Sequence, residues 1–268
     1  MRDAAIGIWD SGLGGLTVVR EVRRLLPRER ILYFGDTARV PYGSKSAETV
    51  RRFARENSEL LLSRGVKLMV VACNTASALS LDDLRSRYDL PVLGVIEPGA
   101  KAAATATKTG IVGVIGTPAT VGSGAYTAAL RSLRPGLSVE GRACPLFVPL
   151  VEEGWLAHPA TKLAAEEYLA PLRDAGVDTL VLGCTHYPLL KPLLAEIMGD
   201  GVRLVDSAEE TAREVARELE SRNMLAPENS EGGLSAMVSD LPLRFRQVGE
   251  LFLGEPIADL NLIDTKEA

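Results

Sequence analysis

Leu68-Met69-Val70-Val71-Ala72-Cys73-Asn74-Thr75 and Leu180-Val181-Leu182-Gly183-Cys184-Thr185-His186 share one pattern: an apolar run, a cysteine, then small polar residues. Neither run alternates apolar with polar, so each reads as a strand covered on both faces. The polar residues after each cysteine read as a helix start. A second matched pair precedes them. Ile6-Gly7-Ile8-Trp9-Asp10-Ser11 opens a glycine-rich turn and a helix ending near Leu26-Pro27. Ile111-Val112-Gly113-Val114-Ile115-Gly116-Thr117 opens another, ending near Arg134-Pro135. The interval from Ile6 to Cys73 is 67 residues and that from Ile111 to Cys184 is 73. Matched intervals and matched cysteines predict a degenerate duplication, two similar halves with one cysteine each.

Outward from these segments, short apolar runs at 5–9, 31–34, 68–72, 92–96, 111–115, 180–183 and 202–205 are the predicted strands. Amphipathic stretches at 14–26, 47–64, 75–87, 118–133, 160–175, 188–198 and 207–222 are the predicted helices. The 47–64 stretch places Val50, Phe53, Ala54, Leu60 and Leu61 on one face at helical spacing. Strand–helix alternation of this kind predicts α/β architecture, here two similar, pseudo-duplicated α/β domains with mainly parallel sheets. In open α/β sheets ligands bind at the carboxyl ends of the strands. The site is therefore expected in the cleft between the halves. The boundary is placed near Glu97-Pro98-Gly99. The first domain is expected to comprise 1–97 with 208–268 packed back on it, and the second 98–207. The tail after about 207 reads as helical with no third unit. The Gly-, Pro- and charge-rich stretch 225–243 reads as a mobile surface loop.

Composition narrows the function classes. The 268 residues suit one large domain or two of about 130. With 46% hydrophobic and 24% charged residues the chain is of ordinary globular type. No apolar run approaches the roughly 18 residues of a membrane span. Met1-Arg2-Asp3 leads almost directly into Ile6-Gly7-Ile8 without an apolar signal core, so a cytoplasmic protein is expected. A net charge of −5 argues against a surface built to neutralise nucleic-acid phosphates. Three cysteines are too few and too odd for a disulfide framework, and two histidines exclude a multi-histidine metal site. No metal is expected.

Cys73 and Cys184 are the first candidates for chemistry. A helix N-terminus lowers a thiol pKa from about 8.5, so both cysteines are expected to be activated. A lone strand-end cysteine is more often core, but two at equivalent places in two halves point to function. Cys144 has no counterpart and reads as core or linker. Asp10-Ser11-Gly12-Leu13-Gly14-Gly15 reads as a turn whose glycines admit backbone N–H groups to a ligand. It has neither the dinucleotide nor the P-loop spacing. Asp10 is open between a helix cap and a catalytic acid. Pro41-Tyr42-Gly43-Ser44 reads first as a turn and cap, with the Tyr42 ring and hydroxyl as candidate lining of a small pocket. His186 is open between a solvent-facing residue and a group that assists the thiol. His158 reads as a surface residue, and Glu152 as a solvated acid.

Two thiols flanking one cleft from opposite sides suit inversion at a stereocentre. One group removes the α-proton while the other delivers a proton from behind. The reverse reaction exchanges the two roles, and a two-fold-like protein meets that symmetry.

The chain closely resembles the glutamate racemases of the aspartate/glutamate racemase superfamily. The resemblance is carried by Asp10-Ser11-Gly12-Leu13-Gly14-Gly15-Leu16-Thr17-Val18, by Gly35-Asp36-Thr37 with Pro41-Tyr42-Gly43, and by Ala72-Cys73-Asn74-Thr75-Ala76-Ser77. It continues through Gly94-Val95-Ile96-Glu97-Pro98-Gly99-Ala100, Gly183-Cys184-Thr185-His186-Tyr187-Pro188-Leu189-Leu190 and Val205-Asp206-Ser207-Ala208. These motifs run in family order over 6–208, and the region after 225 matches loosely.

The resemblance implies a cofactor-independent racemase interconverting L- and D-glutamate, supplying D-glutamate for peptidoglycan. It implies that Cys73 takes the α-proton of D-glutamate and Cys184 that of L-glutamate. Asp10 and His186 would be their auxiliary partners, with Glu152 supporting His186. Ser11, Pro41, Tyr42, Gly43, Asn74, Thr75 and Thr185 would hold the substrate, with Thr117 and Thr120 near the pocket. It also implies a homodimer and no membrane partner. Some relatives inhibit DNA gyrase, and nothing in this acidic sequence bears on that. Pro118 stands where an acidic residue is frequent and Gly122 where a basic one is, which puts the local loop shape in question. No extension precedes the first strand, so the control by a cell-wall precursor that some relatives show is not expected. Neutral hydroxyl, amide and N–H donors suit the spreading charge of a carbanion.

Three rival readings differ in kind. An aspartate or hydantoin racemase is the nearest, and His186 argues against aspartate, where a glutamate usually follows the Cys-Thr pair. A pyridoxal-phosphate racemase requires a Schiff-base lysine, and no motif here contains one. A two-lobed amino-acid-binding protein explains the halves but not paired thiols.

Overall fold

Parallel strands need a crossover of a dozen or more residues, and this chain supplies a helix for each. The computed structural model describes residues 2–264. The first half runs β1 (Ile6–Asp10), α1 (Leu16–Leu25), β2 (Arg30–Gly35), α2 (Ala47–Ser63), β3 (Leu68–Val71), α3 (Asn74–Arg87), β4 (Val92–Gly94) and α4 (Ile96–Ala106). The second runs β5 (Ile111–Gly116), α5 (Pro118–Gly122), α6 (Ala125–Leu133), β6 (Ser138–Ala143), α7 (Phe147–Glu152), α8 (Pro159–Asp174), β7 (Thr179–Gly183), α9 (Lys191–Met198), β8 (Arg203–Asp206) and α10 (Ser207–Ser221). β9 (Gly233–Val238), α11 (Pro242–Leu253) and β10 (Leu260–Leu262) complete it.

The strands form two sheets, β10-β9-β2-β1-β3-β4 and β6-β5-β7-β8, and every pairing is parallel. Within each half the order is second, first, third, fourth. Ile6 lies between Ile31 and Leu68, and Val112 between Val139 and Thr179. The predicted duplication is thus present in topology as well as in motif.

Side-chain alternation along the strands fills both faces. Ile6, Ile8, Leu68, Val70 and Ala72 enter one apolar cluster, while Trp9, Met69, Val71 and Cys73 enter another. The first cluster continues without interruption into Leu180, Leu182, Cys184, Ala208 and Val215. One core therefore joins the halves. Two helices cross between them. α4 follows β4 but packs on α6, β7 and β8 of the second half. α10 follows β8 but packs on α1 of the first half, and on α4.

Away from the strand ends that carry the cysteines, Lys67 and Glu29 form a buried ion pair at 2.7 Å. Lys67 Nζ also donates to Arg2 O and Met224 O, each at 2.8 Å. The pair thereby fastens the start of the chain to the segment after α10.

Several expectations are corrected. The 225–243 stretch is not a mobile loop throughout: β9 lies in it and pairs with β2 from Arg30–Gly233 to Gly35–Val238. Gly232 (φ +65°) makes this entry possible, because a Cβ there would stand 2.2 Å from Pro27 O. The tail is not purely helical, since β10 adds a further strand. The 118–133 helix breaks at Gly124, in the left-handed region at φ +70°, into α5 and α6. The 92–96 strand stops at Gly94, and Ile96 opens α4. Pro98 and Gly99 lie inside α4, where a proline is tolerated in the first helical turn because its missing N–H has no helical partner to lose. β6 escaped prediction because it is a half-exposed edge strand with Glu140, Gly141 and Arg142 at its centre.

Candidate active site

The carboxyl ends of β1, β3, β5 and β7 face one another where the halves meet. Cys73 caps α3 in extended conformation, and Ser77 N donates to its carbonyl at 2.8 Å. Cys184 follows β7, but no α-helix begins there. Tyr187 N donates to Cys184 O at 3.1 Å, a short 3-10 turn covers Tyr187–Leu190, and α9 starts only at Lys191. The expected pair of helix-start cysteines is therefore one helix cap and one turn. Each is 6% exposed.

On the second side the partners form a chain. Cys184 Sγ lies 3.8 Å from His186 Nδ1, and His186 Nε2 lies 2.9 Å from Glu152 Oε1. Glu152 is the last residue of α7, aimed at the imidazole rather than free in solvent. Burial opposes a charged imidazole, but the hydrogen bonds and charges of Cys184 and Glu152 outweigh it and raise the His186 pKa to about 10. The Phe252 ring meets the imidazole edge-on at 5.0 Å.

On the first side the thiol has no imidazole. Cys73 Sγ donates to Ser11 Oγ at 3.6 Å. Burial, then the Asp10 carboxylate, push the Cys73 thiol up to about 12, and the Cys184 charge adds to the rise. The activation expected from the helix start is overridden here, because the dipole end acts on a thiol that has lost its water. Cys144 is likewise pushed up to about 12 by burial and lies wholly in the core, with Tyr187 donating to its carbonyl.

Asp10 is not a helix cap: Gly15 occupies that position of α1. Its Oδ2 accepts from Gly12 N at 2.9 Å, while Oδ1 is buried without a protein partner. Burial raises its pKa despite the opposing charge of His186 and the hydrogen bonds from the turn. The two glycines that follow admit close approach. A Cβ on Gly15 would lie 2.5 Å from Asp10 Cβ, and one on Gly14 would lie 2.1 Å from Thr185 Oγ1 and 2.7 Å from His186 Nδ1. The α1 turn of the first half is thus pressed against the Cys184 loop of the second. Thr17 Oγ1 donates between Gly14 O at 2.9 Å and Thr185 O at 3.1 Å.

Hydroxyls bridge the cleft elsewhere. Thr75 Oγ1 lies 2.9 Å from Thr117 Oγ1 and 3.2 Å from Thr120 Oγ1, and Thr117 and Thr120 are 3.0 Å apart. Pro118 takes the first position of α5 behind the Thr117 cap, a favourable place for proline. Gly122 closes that helix with open space where a side chain would project. Gly43 touches this helix: a Cβ on it would lie 2.8 Å from Thr117 Cβ. Tyr42 beside it is buried, and its hydroxyl is occupied by Asp36 and by Asn57 Nδ2. The expectation that the Tyr42 hydroxyl lines a pocket is corrected accordingly, while Pro41 is exposed. His158 is an exposed helix cap stacked on Trp155. Among the described residues no cluster of three or more His, Cys, Asp or Glu is placed to hold a metal ion.

Asp10, Ser11, Cys73, Asn74, Thr75, Thr117, Thr120, Cys184, Thr185, His186 and Glu152 are thus brought to one interface. The sequence profile described as Asp/Glu/Hydantoin racemase matches residues 14–215. The chain is 55% identical to the glutamate racemase of Geobacter metallireducens over 256 residues, 96% of this chain and 95% of that one. A glutamate racemase isoform of Bacillus anthracis superposes with a TM-score of 0.95 at 40% identity, covering 98% of each chain. The glutamate racemase of Francisella tularensis subsp. tularensis, solved in complex with D-glutamate, superposes at 0.94 with 36% identity over the whole of both chains. The chain belongs to the Asp/Glu/Hydantoin racemase family.

The racemase family profile begins at Gly14 and ends at Val215, so Asp10, Ser11 and Phe252 stand at the site outside the matched stretch. Phe252 was not anticipated from sequence. A signal existed: Phe245, Gly249 and Phe252 recur at helical spacing and form the buried face of α11. Tyr33 was also missed. It ends among the turn residues, donating to Gly12 O at 2.7 Å, but a tyrosine in an apolar strand reads as core.

Proposed function

We propose that this racemase interconverts L- and D-glutamate by two-base proton transfer through Cys73 and Cys184, with no organic cofactor or metal. One observation supports the reading: equivalent strand-end cysteines from two duplicated halves, each 6% exposed, stand at a seam where Thr75 meets Thr117 at 2.9 Å and the α1 turn is pressed against the Cys184 loop.

With L-glutamate bound, the Cys184 sulfur takes the α-proton. The Cα–H bond breaks, an S–H bond forms, and the electron pair spreads into the α-carboxylate. The Cys73 thiol then gives its proton to the opposite face of Cα, leaving a thiolate. D-glutamate reverses each step. Burial and Asp10 favour Cys73 as thiol, the form required for L-glutamate. His186, held charged by Glu152, steadies negative charge at the Cys184 sulfur. Neutral donors at Ser11, Asn74, Thr75, Thr117, Thr120 and Thr185, with the turn at Pro41-Tyr42-Gly43, orient the two carboxylates and the ammonium. Fixed dipoles in a dry site stabilise developing charge without reorganising.

Thiols this buried require the halves to part for substrate entry. The moving units in this proposal are 1–97 with 208–268, and 98–207. D-glutamate made in the cytoplasm in this way would supply peptidoglycan assembly. A strain lacking D-glutamate synthesis should regain growth when it expresses this chain and not when it expresses Cys73→Ala.

The deciding experiment is proton NMR of L-glutamate in D2O with reduced protein and no added cofactor. Loss of the α-proton signal with decay of circular dichroism toward zero is expected. Folded, reduced protein that leaves both unchanged sinks the assignment, and aspartate is then the next substrate to try.

A further inference from the structure

Asn74 occupies the first position of α3, directly after Cys73, and is 3% exposed. The two ends of its amide differ. Oδ1 accepts a 2.7 Å hydrogen bond from the hydroxyl of Tyr126, which stands on α6 in the other half. Nδ2 is buried and has no protein partner. Buried amide donors are nearly always paired, so an orphan of this kind points to an acceptor supplied from outside the chain.

The Tyr126 ring has little freedom. It is 2% exposed, and its ring lies against Gly183, with Gly99 beside its hydroxyl. A Cβ on Gly183 would come within 3.0 Å of Tyr126 Cε2, and one on Gly99 within 3.5 Å of the hydroxyl. Burial raises the phenol pKa well above its ordinary value, so the hydroxyl keeps the proton it donates. Ser207, also beside that hydroxyl, gives its own proton to Leu182 O at 3.2 Å.

An amide held only by weak contacts rotates by a half-turn at little cost, exchanging a donor for an acceptor. We propose that Tyr126 is a positioning residue. By donating to Asn74 Oδ1 across the cleft, it fixes the amide so that Nδ2 faces a carboxylate oxygen of the substrate. This rests on the amino-acid racemase reading for the identity of that carboxylate, but the orientation of the amide does not. Because donor and acceptor belong to different halves, Asn74 is correctly presented only when the halves are together.

The test is a double-mutant cycle with a spectroscopic arm. Tyr126→Phe removes one oxygen and keeps the ring. It is expected to raise the KM for glutamate about tenfold, the worth of one hydrogen bond, with kcat changed at most about twofold. In an Asn74→Ala background the same substitution is expected to change KM at most about twofold, because no amide remains to orient. Effects that simply multiply overturn the proposal. In 15N-labelled protein the Asn74 side-chain NH2 pair is identified by its loss in Asn74→Asp. Slow solvent exchange in the parent protein and displaced, faster-exchanging signals in Tyr126→Phe are expected. Signals unmoved by Tyr126→Phe overturn the positioning role whether or not glutamate turns over. Displaced signals in a protein that never turns over glutamate overturn the substrate assignment and leave Tyr126 its role.

Discussion

The two cysteines end equivalent strands of equivalent halves, yet their surroundings are opposite in kind. Cys73 caps a full α-helix and meets a hydroxyl and a buried carboxylate. Cys184 stands just before a short 3-10 turn and meets an imidazole backed by Glu152. Duplication supplies two equivalent strand-end thiols, but in the proposed two-base mechanism the substrate and its mirror image would not meet mirror-image environments. Each side reaches its task by different physics. Burial and like charge keep one sulfur protonated, and an imidazolium offers the other an opposite charge.

The largest expected effect tests whether the sides are distinct at all. Cys73→Ala and Cys184→Ala should each lower racemisation in both directions by about 10³ or more, since each removes a group that the proposed mechanism uses for proton transfer. Their residual chemistry should differ. Cys73→Ala retains α-proton exchange with D2O only on L-glutamate, and Cys184→Ala only on D-glutamate. NMR on each enantiomer reads this, and exchange of the same enantiomer in both variants breaks the comparison.

Next in size is Glu152→Gln, expected to cost about tenfold to a hundredfold in kcat/KM. Glu152 raises the His186 pKa, so its neutral replacement lowers that pKa. The high-pH fall of the kcat/KM profile, where the imidazolium loses its proton, should therefore move toward lower pH. A loss of rate with an unshifted profile would separate Glu152 from His186. The same interaction predicts a stability effect. The His186 pKa is about 10 in the fold against about 6.5 unfolded, so its stabilisation is complete below about 6.5 and vanishes as pH rises through about 10. The fall in Tm over that window should flatten in Glu152→Gln.

Gly14→Ala probes the seam between the sides. A methyl 2.1 Å from Thr185 Oγ1 must push the α1 turn from the Cys184 loop, at an expected cost of about 1–3 kcal/mol in urea unfolding. Unchanged stability would mean that the seam yields. The smallest effect is expected on the Cys73 side. Asp10→Asn removes a charge that raises the Cys73 pKa, so alkylation of Cys73 at pH 8–9 should quicken a few-fold. Quickening at Cys184 instead would reverse the assignment of Asp10.

What sequence reveals here is whatever lies in short local patterns. The cysteine segments, the glycine-rich turn after Asp10 and the strand–helix alternation are of that kind, and the structure brings them to one cleft. Non-local facts were hidden. β9 lies in a stretch whose glycines and charges look like a loop, and only its pairing with β2 makes it a strand. Phe252 reaches His186 from a helix outside every motif. The Cys73 pKa runs opposite to the helix-start expectation because a helix start is visible in sequence and the loss of water around the thiol is not. The Tyr42 hydroxyl is tied up by Asp36 and Asn57, partners that no local pattern around Pro41-Tyr42-Gly43 reveals.

The crossing of α4 and α10 bears on how such a molecule arises. Each follows the fourth strand of its own half and packs against the first helices of the other. Two separate copies of an ancestral half-chain, each lending that helix to its neighbour, would assemble this core as a swapped, two-fold dimer. Joining the copies end to end then keeps this exchange of helices while freeing each copy to mutate alone. On this account the imidazole beside one sulfur and its absence beside the other are the later history of a site that began symmetric.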